Sequence, residues 1–374
     1  MQQVKKRYLI DGRFLLSMKT GIDRYAYHIT KELDKICKDC DITILVPNST
    51  IVMPQYRNIK IVRIKIEKYW TQVVFGLYAR IHKMIPINLC NEASTIAQNG
   101  IVCLHDVCYA ETKEYYPYVT DFSAEEIEWF EKVYERIINK ADKLITVSEF
   151  SKARIADVLK VNPEKITVIG NGWQHLKRVR VDEKLLNNYG NLTKGEYYYT
   201  LTSANHNKNV QWVIKAADRN PNETFVISGK GIDKVVDFNK HKNVVYTGYA
   251  SDQLAKTLMK FCKAFIFPSY YEGFGIPPLE ALSLGAKVIV SNTASLPEIF
   301  GNSAYYISPD NADIDLNELI SKPVADADEV LSKYSWEKSA KQLLCPAARW
   351  KRSSSAVLLR RMYLTPVSTV CILL

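Results

Sequence analysis

The sequence is organised around one segment, Phe267-Pro-Ser-Tyr-Tyr-Glu272-Gly-Phe-Gly-Ile-Pro-Pro-Leu-Glu280-Ala-Leu282. The run before it, 262–267, is apolar and bulky, which is typical of a buried parallel strand. The run after it, 279–284, predicts a helix whose first turn suits the two prolines. The segment therefore predicts a strand, a glycine-rich loop and a helix N-terminus, where free backbone N–H groups can bind a phosphate or a hydroxyl.

Two acids lie eight residues apart in this segment. Glu272 falls in the predicted loop and Glu280 in the first turns of the predicted helix. Open α/β sheets bind ligands outside the carboxyl ends of their strands. We therefore expect both carboxylates to face one ligand at that edge. An ordinary strand–loop–helix crossover without a ligand is the alternative interpretation.

The segment resembles the E-x7-E signature of retaining glycosyltransferases of the GT-B fold, in the large family 4 group. The resemblance continues through residues 285–292 and 295–301 and ends near residues 308–311. It implies an α/β protein with two Rossmann-like domains, whose parallel sheets face each other across a cleft. It also implies a C-terminal helix that crosses back over the gap between the domains.

Length and composition bound these expectations. A chain of 374 residues is long for one core, and its 47% apolar and 24% charged residues are ordinary for a soluble protein. No apolar run of about 18 residues occurs, and the N-terminus lacks the apolar core of a signal peptide. Eight scattered cysteines indicate a reducing compartment. We expect a cytoplasmic protein; a peripheral position at the inner face of the membrane is also compatible with these features.

The net charge of +10 is unevenly distributed. Residues 345–374 contain five arginines and lysines and no acids, so half of the excess lies in that tail. The remainder is too mild to indicate nucleic-acid binding, and no RNA- or DNA-binding motif is present. We interpret the tail as a frameshifted or chimeric end that is poorly ordered; a basic tail that touches a membrane is the alternative.

Strand and helix patterns alternate along the chain in two series. The first series ends near Gly170, and the second begins near Tyr197. We expect an acceptor-binding Rossmann-like domain at 1–172 and a nucleotide-sugar-binding domain at 173–334. A closing helix is predicted at 335–344, followed by the atypical tail.

The resemblance also implies site residues in the first domain. Gly21 lies in a loop between the first strand and the first helix, where it would approach the donor phosphates, and Arg24 is a candidate for a nearby anion. His105, with Asp106, follows an N-terminal strand and would face the donor sugar across the cleft. A structural histidine and a surface arginine are the alternatives.

In the second domain, Lys208 matches a family lysine that reaches the donor diphosphate, where an ammonium offsets the charge of the leaving group. The sequence departs from the family at Ser203, where many relatives have an arginine. The predicted catalytic residues are His105, Lys208 and Glu272. The predicted donor contacts are Gly21, Arg24, Ser203, Gly229, Tyr249, Gly273, Phe274, Gly275 and Glu280.

The function implied is transfer of a hexose, with retention, from a nucleotide-diphosphate sugar to a saccharide or lipid-linked saccharide during cell-surface polysaccharide synthesis. No cofactor or metal is expected, and two D-x-D sequences at 313–315 and 326–328 are interpreted as solvated surface. A catalytically inactive nucleotide-sugar-binding subunit and a sugar-nucleotide epimerase of similar fold are the alternatives. The sequence identifies neither the sugar and base of the donor nor the acceptor.

Two further segments suggest the acceptor side. Residues 109–122, rich in Tyr and Pro, predict a loop that lines the acceptor site. Residues 65–83 mix basic and aromatic residues at helical spacing, which is typical of a helix that lies on an anionic membrane. A helix packed on the N-terminal sheet, with its lysines reaching solvent, is the alternative.

Overall fold

The computed structural model of the chain describes residues 6–16, 20–37, 40–94, 96–111, 122–190 and 192–344. Residues 1–343 form one compact unit that contains two β-sheets. The tail at 345–374 and residues 112–121 of the predicted acceptor loop lie outside the described residues. What the sequence predicts for them stays a prediction.

The first sheet has seven strands in the order β3-β2-β1-β4-β5-β6-β7, all parallel. Its strands are β1 (Arg7–Asp11), β2 (Asp41–Pro47), β3 (Ile59–Ile64), β4 (Ile85–Asn88), β5 (Asn99–Cys103), β6 (Ala141–Thr146) and β7 (Ile166–Val168). The accompanying helices are α1 (Gly21–Ile36), α2 (Gly76–Ile81), α3 (Ala124–Lys140) and α4 (Glu149–Val158).

The second sheet has six parallel strands in the order β10-β9-β8-β11-β12-β13. Its strands are β8 (Tyr197–Leu201), β9 (Thr224–Ser228), β10 (Val244–Gly248), β11 (Ala264–Phe267), β12 (Val288–Ser291) and β13 (Tyr305–Ile307). Its helices are α5 (Val210–Arg219), α6 (Asp252–Phe261), α7 (Ile276–Ser283), α8 (Leu296–Phe300), α9 (Leu316–Ser321), α10 (Asp328–Leu331) and α11 (Trp336–Leu344).

Each sheet has one point where the strand order reverses. In the first sheet the chain runs outward from β1 through β2 and β3 and then resumes at β4 on the other side of β1. The second sheet repeats this arrangement with β8 and β11. The crevice between the two reversing strands is where such sheets bind ligands. The two Rossmann-like parallel sheets that the sequence predicts are confirmed.

The closing helix crosses back to the first domain, as predicted. The hydroxyl of Ser339 in α11 donates to the backbone carbonyl of Gly170, just after β7, at 2.6 Å. The ring of Trp336 is 2% exposed and packs edge-on near Tyr25 of α1. The division between domains at residue 172 stays a prediction; it falls between the end of β7 and the start of β8.

Strand β4 was not predicted. It has only four residues and contains Pro86, which lacks an N–H donor and is unusual in a central strand. It nevertheless pairs with β1 and β5, and Pro86 stands opposite Leu9. The local sequence does not indicate this strand, because its short length and its proline both disfavour a strand. Its pairing with β1 and β5 stabilises it in the folded sheet.

The segment predicted to be a membrane-facing or packed helix combines two structures. A π-helical turn spans Trp70–Phe75 and continues into α2. Trp70 and Phe75 are buried against Leu9 and Leu45 of the first sheet. The packed interpretation is therefore correct for one face. Within the described residues, no helix has the length and apolar character needed to cross a membrane.

Candidate functional site

An ion pair lies at the reversal point of the second sheet. Lys208 follows β8 in a short 3-10 turn, and Glu272 lies in the loop after β11, so the two neighbouring strands bring them together. Lys208 Nζ and Glu272 Oε1 are 2.6 Å apart. An ammonium has three donors, so the lysine keeps capacity for another acceptor. Both residues that the sequence singled out as catalytic in this domain thus occupy one place.

The loop after Glu272 turns sharply into α7. Gly275 is the N-cap of α7 and has φ 92°, a left-handed conformation that favours glycine. A Cβ atom there would also stand 2.7 Å from Leu296 Cδ2. The helix begins at Ile276, so Pro277 and Pro278 lie in its first turn, as predicted. Because Pro277 and Pro278 lack N–H groups, only two of the first four positions of α7 can donate to a ligand.

Glu280 is 6% exposed and makes a contact that the sequence did not predict. His175, in the segment between the two sheets, lies with its Nε2 2.7 Å from Glu280 Oε1. The indole Nε1 of Trp336 donates to His175 Nδ1 at 3.1 Å. A histidine in a connecting segment carries no local motif. The hydrogen bonds that join Trp336, His175 and Glu280 are therefore visible only in the folded structure.

The loop of Glu272 is held against the first domain. The backbone carbonyl of Gly273 accepts hydrogen bonds from the hydroxyls of Ser148 at 2.7 Å and Ser151 at 3.3 Å. A Cβ atom on Gly273 would stand 2.9 Å from the carbonyl oxygen of His105 and 3.3 Å from Asp106 Oδ2. The glycine therefore permits a close approach between this loop and the end of β5.

His105 lies just past β5 and is 7% exposed. Its Nε2 is 2.9 Å from the carbonyl oxygen of Leu89, and a carbonyl only accepts, so Nε2 carries the proton. Burial lowers the pKa of His105 to about 4. The imidazole is therefore neutral near pH 7, and its Nδ1 is an acceptor. Burial also raises the pKa of the neighbouring Asp106.

The first-helix residues face the same cleft from the other domain. The position of a Cβ on Gly21 lies 3.8 Å from Ile276 Cδ1, so the start of α1 approaches the start of α7. Arg24 forms an ion pair with Asp252 of α6 at 2.5 Å. The arginine predicted to meet a donor anion therefore links the two domains, and nearby Glu280 and Asp252 raise the pKa of Arg24 against the effect of its burial.

Of two further predicted donor contacts, one is exposed at the cleft and the other is buried. Tyr249 is 76% exposed and lines a cavity of about 680 Å³ together with Arg24 and His175. Phe274 is 4% exposed and its ring packs on Tyr334, so only its backbone is suited to contact a donor.

Ser203 and Gly229 follow neighbouring strands, β8 and β9. The hydroxyl of Ser203 accepts a long, 3.4 Å hydrogen bond from the amide of Asn205. A Cβ atom on Gly229 would stand 2.1 Å from the carbonyl oxygen of Thr202, so the residue must be glycine for the strand ends to come this close. Both positions therefore lie at the carboxyl edge of the second sheet.

A cavity of about 240 Å³ opens at the reversal point of the first sheet. Asp11 ends β1, and Asn88 ends β4. Asp11 accepts hydrogen bonds from Trp70 Nε1 at 2.8 Å and Thr71 Oγ1 at 2.7 Å, and burial raises its pKa. The lining is mostly polar: Asp11, Arg13, Phe14, Leu16, Thr20, Ile22, Asp23, Thr71, Asn88, Leu89, Cys90 and Glu92.

Three residues of the lining bear on what this cavity could bind. The single arginine of its lining, Arg13, is already paired with Glu92. Within the described part of the chain, both polar atoms of the Asn88 side chain are buried without a hydrogen-bond partner. Leu89, which holds His105 through its carbonyl, lines the same cavity. The sequence had not singled out this cavity, because its residues come from four separate segments.

A buried ion pair supports the loop of Glu272 from the first domain. Arg154 Nε and Nη2 lie 2.8 and 2.9 Å from the two carboxylate oxygens of Glu111, whose side chain is fully buried. The hydroxyl of Tyr271, which immediately precedes Glu272, donates to the same carboxylate at 3.1 Å. This network fixes the loop relative to the first domain.

The two D-x-D sequences have structural partners. Asp313 pairs with Arg219, Asp315 caps α9, and Asp326 accepts a hydrogen bond from the amide of Asp328. In the part of the chain that the structure describes, no group of three or more His, Cys, Asp or Glu side chains is arranged to hold a metal ion.

Comparison with protein families matches both halves of this site. Residues 181–342 match the model described as "Glycosyl transferases group 1", and residues 101–174 match "Glycosyltransferase Family 4". The first match includes Lys208, Glu272 and Glu280, and the second includes His105. Together the two matches cover more than half of the chain.

Curated relatives are similar over part of their length. The chain is 26% identical to the O-antigen chain mannosyltransferase B of Escherichia coli over 231 residues, which is 58% of this chain and 59% of that protein. It is 24% identical to the serotype-specific mannosyltransferase WbdA of Escherichia coli over 287 residues, 68% of this chain and 34% of the relative. The chain thus spans less than two thirds of both relatives.

Solved structures share the fold. A sucrose-phosphate synthase from Thermosynechococcus elongatus superposes with a TM-score of 0.65 at 16% identity, covering 91% of this chain and 94% of the other. The lipopolysaccharide glycosyltransferase WaaG gives 0.59 at 13% identity, covering 91% and 93%. Anabaena Alr3699/HepE, solved with UDP and glucose, gives 0.64 at 15% identity, covering 91% and 98%.

Proposed function

The chain belongs to the group 1 glycosyltransferases, and from this premise we propose that it transfers a hexose from a nucleotide-diphosphate sugar to a saccharide or lipid-linked saccharide. We propose that transfer retains the anomeric configuration and needs no metal ion. The observation that carries the proposal is the Lys208–Glu272 pair at the reversal point of the second sheet, held against His105 and Asp106 by Gly273.

Transfer requires the donor-binding residues to stabilise two charges. A departing nucleoside diphosphate gathers negative charge, and the sugar becomes oxocarbenium-like. The Lys208 ammonium would meet the diphosphate, with two donors left beyond its contact with Glu272. Glu272 and the amides of Gly273–Gly275 would hold sugar hydroxyls. Glu280 would accept hydrogen bonds from the ribose.

The leaving diphosphate itself would take the proton from the acceptor hydroxyl. The bond between the anomeric carbon and the diphosphate oxygen breaks, and a bond to the acceptor oxygen forms on the same face. His105, neutral and with Nδ1 as an acceptor, would orient the donor sugar from the first domain. The backbone carbonyl of Leu89 accepts from His105 Nε2 and so keeps the imidazole in this tautomer.

The acceptor would enter through the first domain. The cavity at the ends of β1 and β4 contains Asp11, Asp23 and Glu92, and its one arginine is paired. Such a lining disfavours a phosphate and suits a neutral sugar ring, whose hydroxyls could pair with the unsatisfied amide of Asn88. Its neighbour Leu89 connects the cavity to His105.

A membrane surface is proposed as a partner for the acceptor side. On the segment 65–83, the side opposite the buried Trp70 and Phe75 exposes Tyr69, Leu77 and Ile81. Lysines and arginine at positions 65, 68, 80 and 83 are also exposed. This pattern fits an anionic lipid surface. Flotation with vesicles of neutral lipid and with vesicles containing anionic lipid should show binding to the anionic ones alone.

The test of the proposed function is a thermal-shift screen against UDP-, GDP- and dTDP-sugars, with mannose donors included because of the mannosyltransferase relatives. A ligand at 100 times its Kd should add about 2.7 kcal/mol to the free energy of unfolding. At least one donor should raise the melting temperature of the wild type, and Lys208→Met should remove that shift. No shift with any nucleotide sugar would contradict the proposal.

A further inference from the structure

Three side chains from three parts of the chain form one hydrogen-bonded series beside the donor site. Trp336 belongs to the closing helix, His175 to the segment between the sheets, and Glu280 to α7. Trp336 Nε1 lies 3.1 Å from His175 Nδ1, and His175 Nε2 lies 2.7 Å from Glu280 Oε1. The side chains of His175 and Glu280 are each 8% exposed.

The direction of the hydrogen bonds follows from the end groups. An indole N–H can only donate, so His175 Nδ1 must accept from Trp336. The proton of a neutral imidazole is then on Nε2, which donates to the Glu280 carboxylate. Trp336 therefore fixes the tautomer of His175, and His175 presents one donor to one carboxylate oxygen.

The ring of His175 is also held in place by stacking. His28 of α1 lies 4.3 Å from His175 and 5.1 Å from Trp336, measured between ring centroids, and both pairs are stacked. Burial, together with the neighbouring His175 and Arg24, lowers the pKa of His28 to about 2. The stacked partner is therefore uncharged near pH 7 and does not compete for Glu280.

The Glu280 carboxylate is thereby left with one oxygen for a ligand. Oε1 is occupied by His175, whereas Oε2 has no hydrogen-bond partner among the residues that the structure describes. An ionised carboxylate only accepts, so the free oxygen selects a ligand group that donates. A ribose hydroxyl meets this requirement.

We infer that His175 is a positioning residue. It holds the Glu280 carboxylate so that Oε2 of Glu280 accepts a hydrogen bond from a ribose hydroxyl of the donor nucleotide. The inference rests on the proposed function, because it assigns Glu280 to the ribose. It adds a residue from the connecting segment, whose ring the closing helix contacts through Trp336.

The test compares ribose and deoxyribose nucleotides. Isothermal titration of the full chain with UDP and GDP, and with the 2′-deoxy form of each, gives a ratio of the two dissociation constants. The wild type should bind the better ribonucleotide about tenfold more tightly than its deoxy form. His175→Phe, which keeps an aromatic ring and removes both nitrogens, should bring this ratio close to one.

Two variants separate positioning from simple stability. His175→Gln retains a donor for Glu280 and an acceptor for Trp336, so it should restore the ratio. Trp336→Phe loses a hydrogen bond of the same cluster without removing the donor to Glu280, so it should lower the melting temperature with the ratio largely kept. His241→Gln alters a histidine that pairs with Asp218 at 2.7 Å and should change neither quantity.

The outcomes are distinguishable. A wild-type ratio that survives in His175→Phe overturns this inference and leaves the glycosyltransferase proposal standing. A wild type that binds none of the four nucleotides overturns both. In steady-state assays His175→Phe should raise the KM for the donor about tenfold with a smaller effect on kcat, because the residue does not touch the reacting atoms.

Discussion

At the scale of single residues, the Lys208–Glu272 pair is the most consequential contact of the cleft. The Glu272 side chain is 12% exposed and that of Lys208 is 27% exposed. Little water therefore reaches the pair, and its electrostatic attraction is only partly screened. We expect Lys208 to turn to the diphosphate when a donor binds, and the pair to hold both side chains in position for it.

Glu272→Gln should reduce transfer by about 100-fold or more, with the fold intact. The amide keeps the shape of the side chain but lacks the charge that pairs with Lys208 and that would hold sugar hydroxyls in the proposed function. Initial rates of nucleoside diphosphate release measure the effect, and circular dichroism checks the fold. Turnover equal to the wild type would eliminate the sugar-contact role of Glu272.

Acid should destabilise the protein through His105. Its pKa is about 4 in the folded chain, whereas a histidine in the unfolded chain titrates near its ordinary 6.5. Between these values the unfolded state binds more protons, so the free energy of unfolding falls as the pH falls from about 6.5 to about 4. The loss from this residue is on the order of 3 kcal/mol.

His105→Gln should remove that part of the pH dependence, because glutamine does not titrate and can still donate to the carbonyl of Leu89. Urea unfolding at pH 7.0, 5.5 and 4.5 measures it. His82→Gln, which changes an exposed histidine, is the matched control. If His105→Gln loses stability with acid as steeply as the wild type, the buried neutral state of His105 is wrong.

At the scale of elements, the N-terminus of α4 is completed by a residue of helix α8, which accompanies the second sheet. Ser148 caps it through the amide of Ser151 at 3.0 Å. The carboxylate of Glu298 in α8 accepts from the amides of Glu149 at 2.8 Å and Phe150 at 2.7 Å. An anion is favourable at a helix N-terminus, so this contact binds α8 to the first domain.

Glu298→Ala should lower the free energy of unfolding by about 1 to 2 kcal/mol, because it leaves two backbone amides without their acceptor. Glu128→Ala removes an exposed glutamate that pairs with Lys132 on α3 and should cost clearly less, because water screens that pair. Denaturant unfolding of both variants makes the comparison. Equal losses would show that the Glu298 contact contributes nothing specific.

The same elements show which parts of the structure a local pattern predicts. Strand β11 and the loop to α7 follow from an apolar run, two glycines and two prolines, and the resemblance of this segment led to the GT-B fold. Helix starts at Ser148 and Ser251 agree with capping chemistry, because each serine hydroxyl accepts from the backbone amide three residues later. These features depend on residues close together in the chain.

What could not be predicted depends on residues far apart. His175 meets Glu280 across 105 positions, Arg24 meets Asp252 across 228, and Tyr271 meets Glu111 across 160. No spacing rule marks such partners, since each is an ordinary polar residue in its own segment. Arg24 illustrates the consequence: a charge expected to await a ligand anion already has a protein partner.

At the scale of the whole molecule, the two sheets meet through contacts that surround the cleft. Glu111 and Arg154 hold Tyr271, Ser148 holds Gly273, and Arg24 holds Asp252. The closing helix adds the contact of Ser339 with the segment after β7. The loop that carries Glu272 is therefore positioned by both domains, and we expect donor and acceptor halves to act only together.

The most direct test of glycosyl transfer is a proton NMR time course of the wild-type chain with the donor that stabilises it most and a set of saccharide acceptors, in the presence of EDTA. We predict a new anomeric signal with the configuration of the donor, growing together with free nucleoside diphosphate. Binding without any new anomeric signal would indicate an inactive nucleotide-sugar-binding subunit. A changed sugar without transfer would indicate an epimerase, and either result would contradict the proposed function.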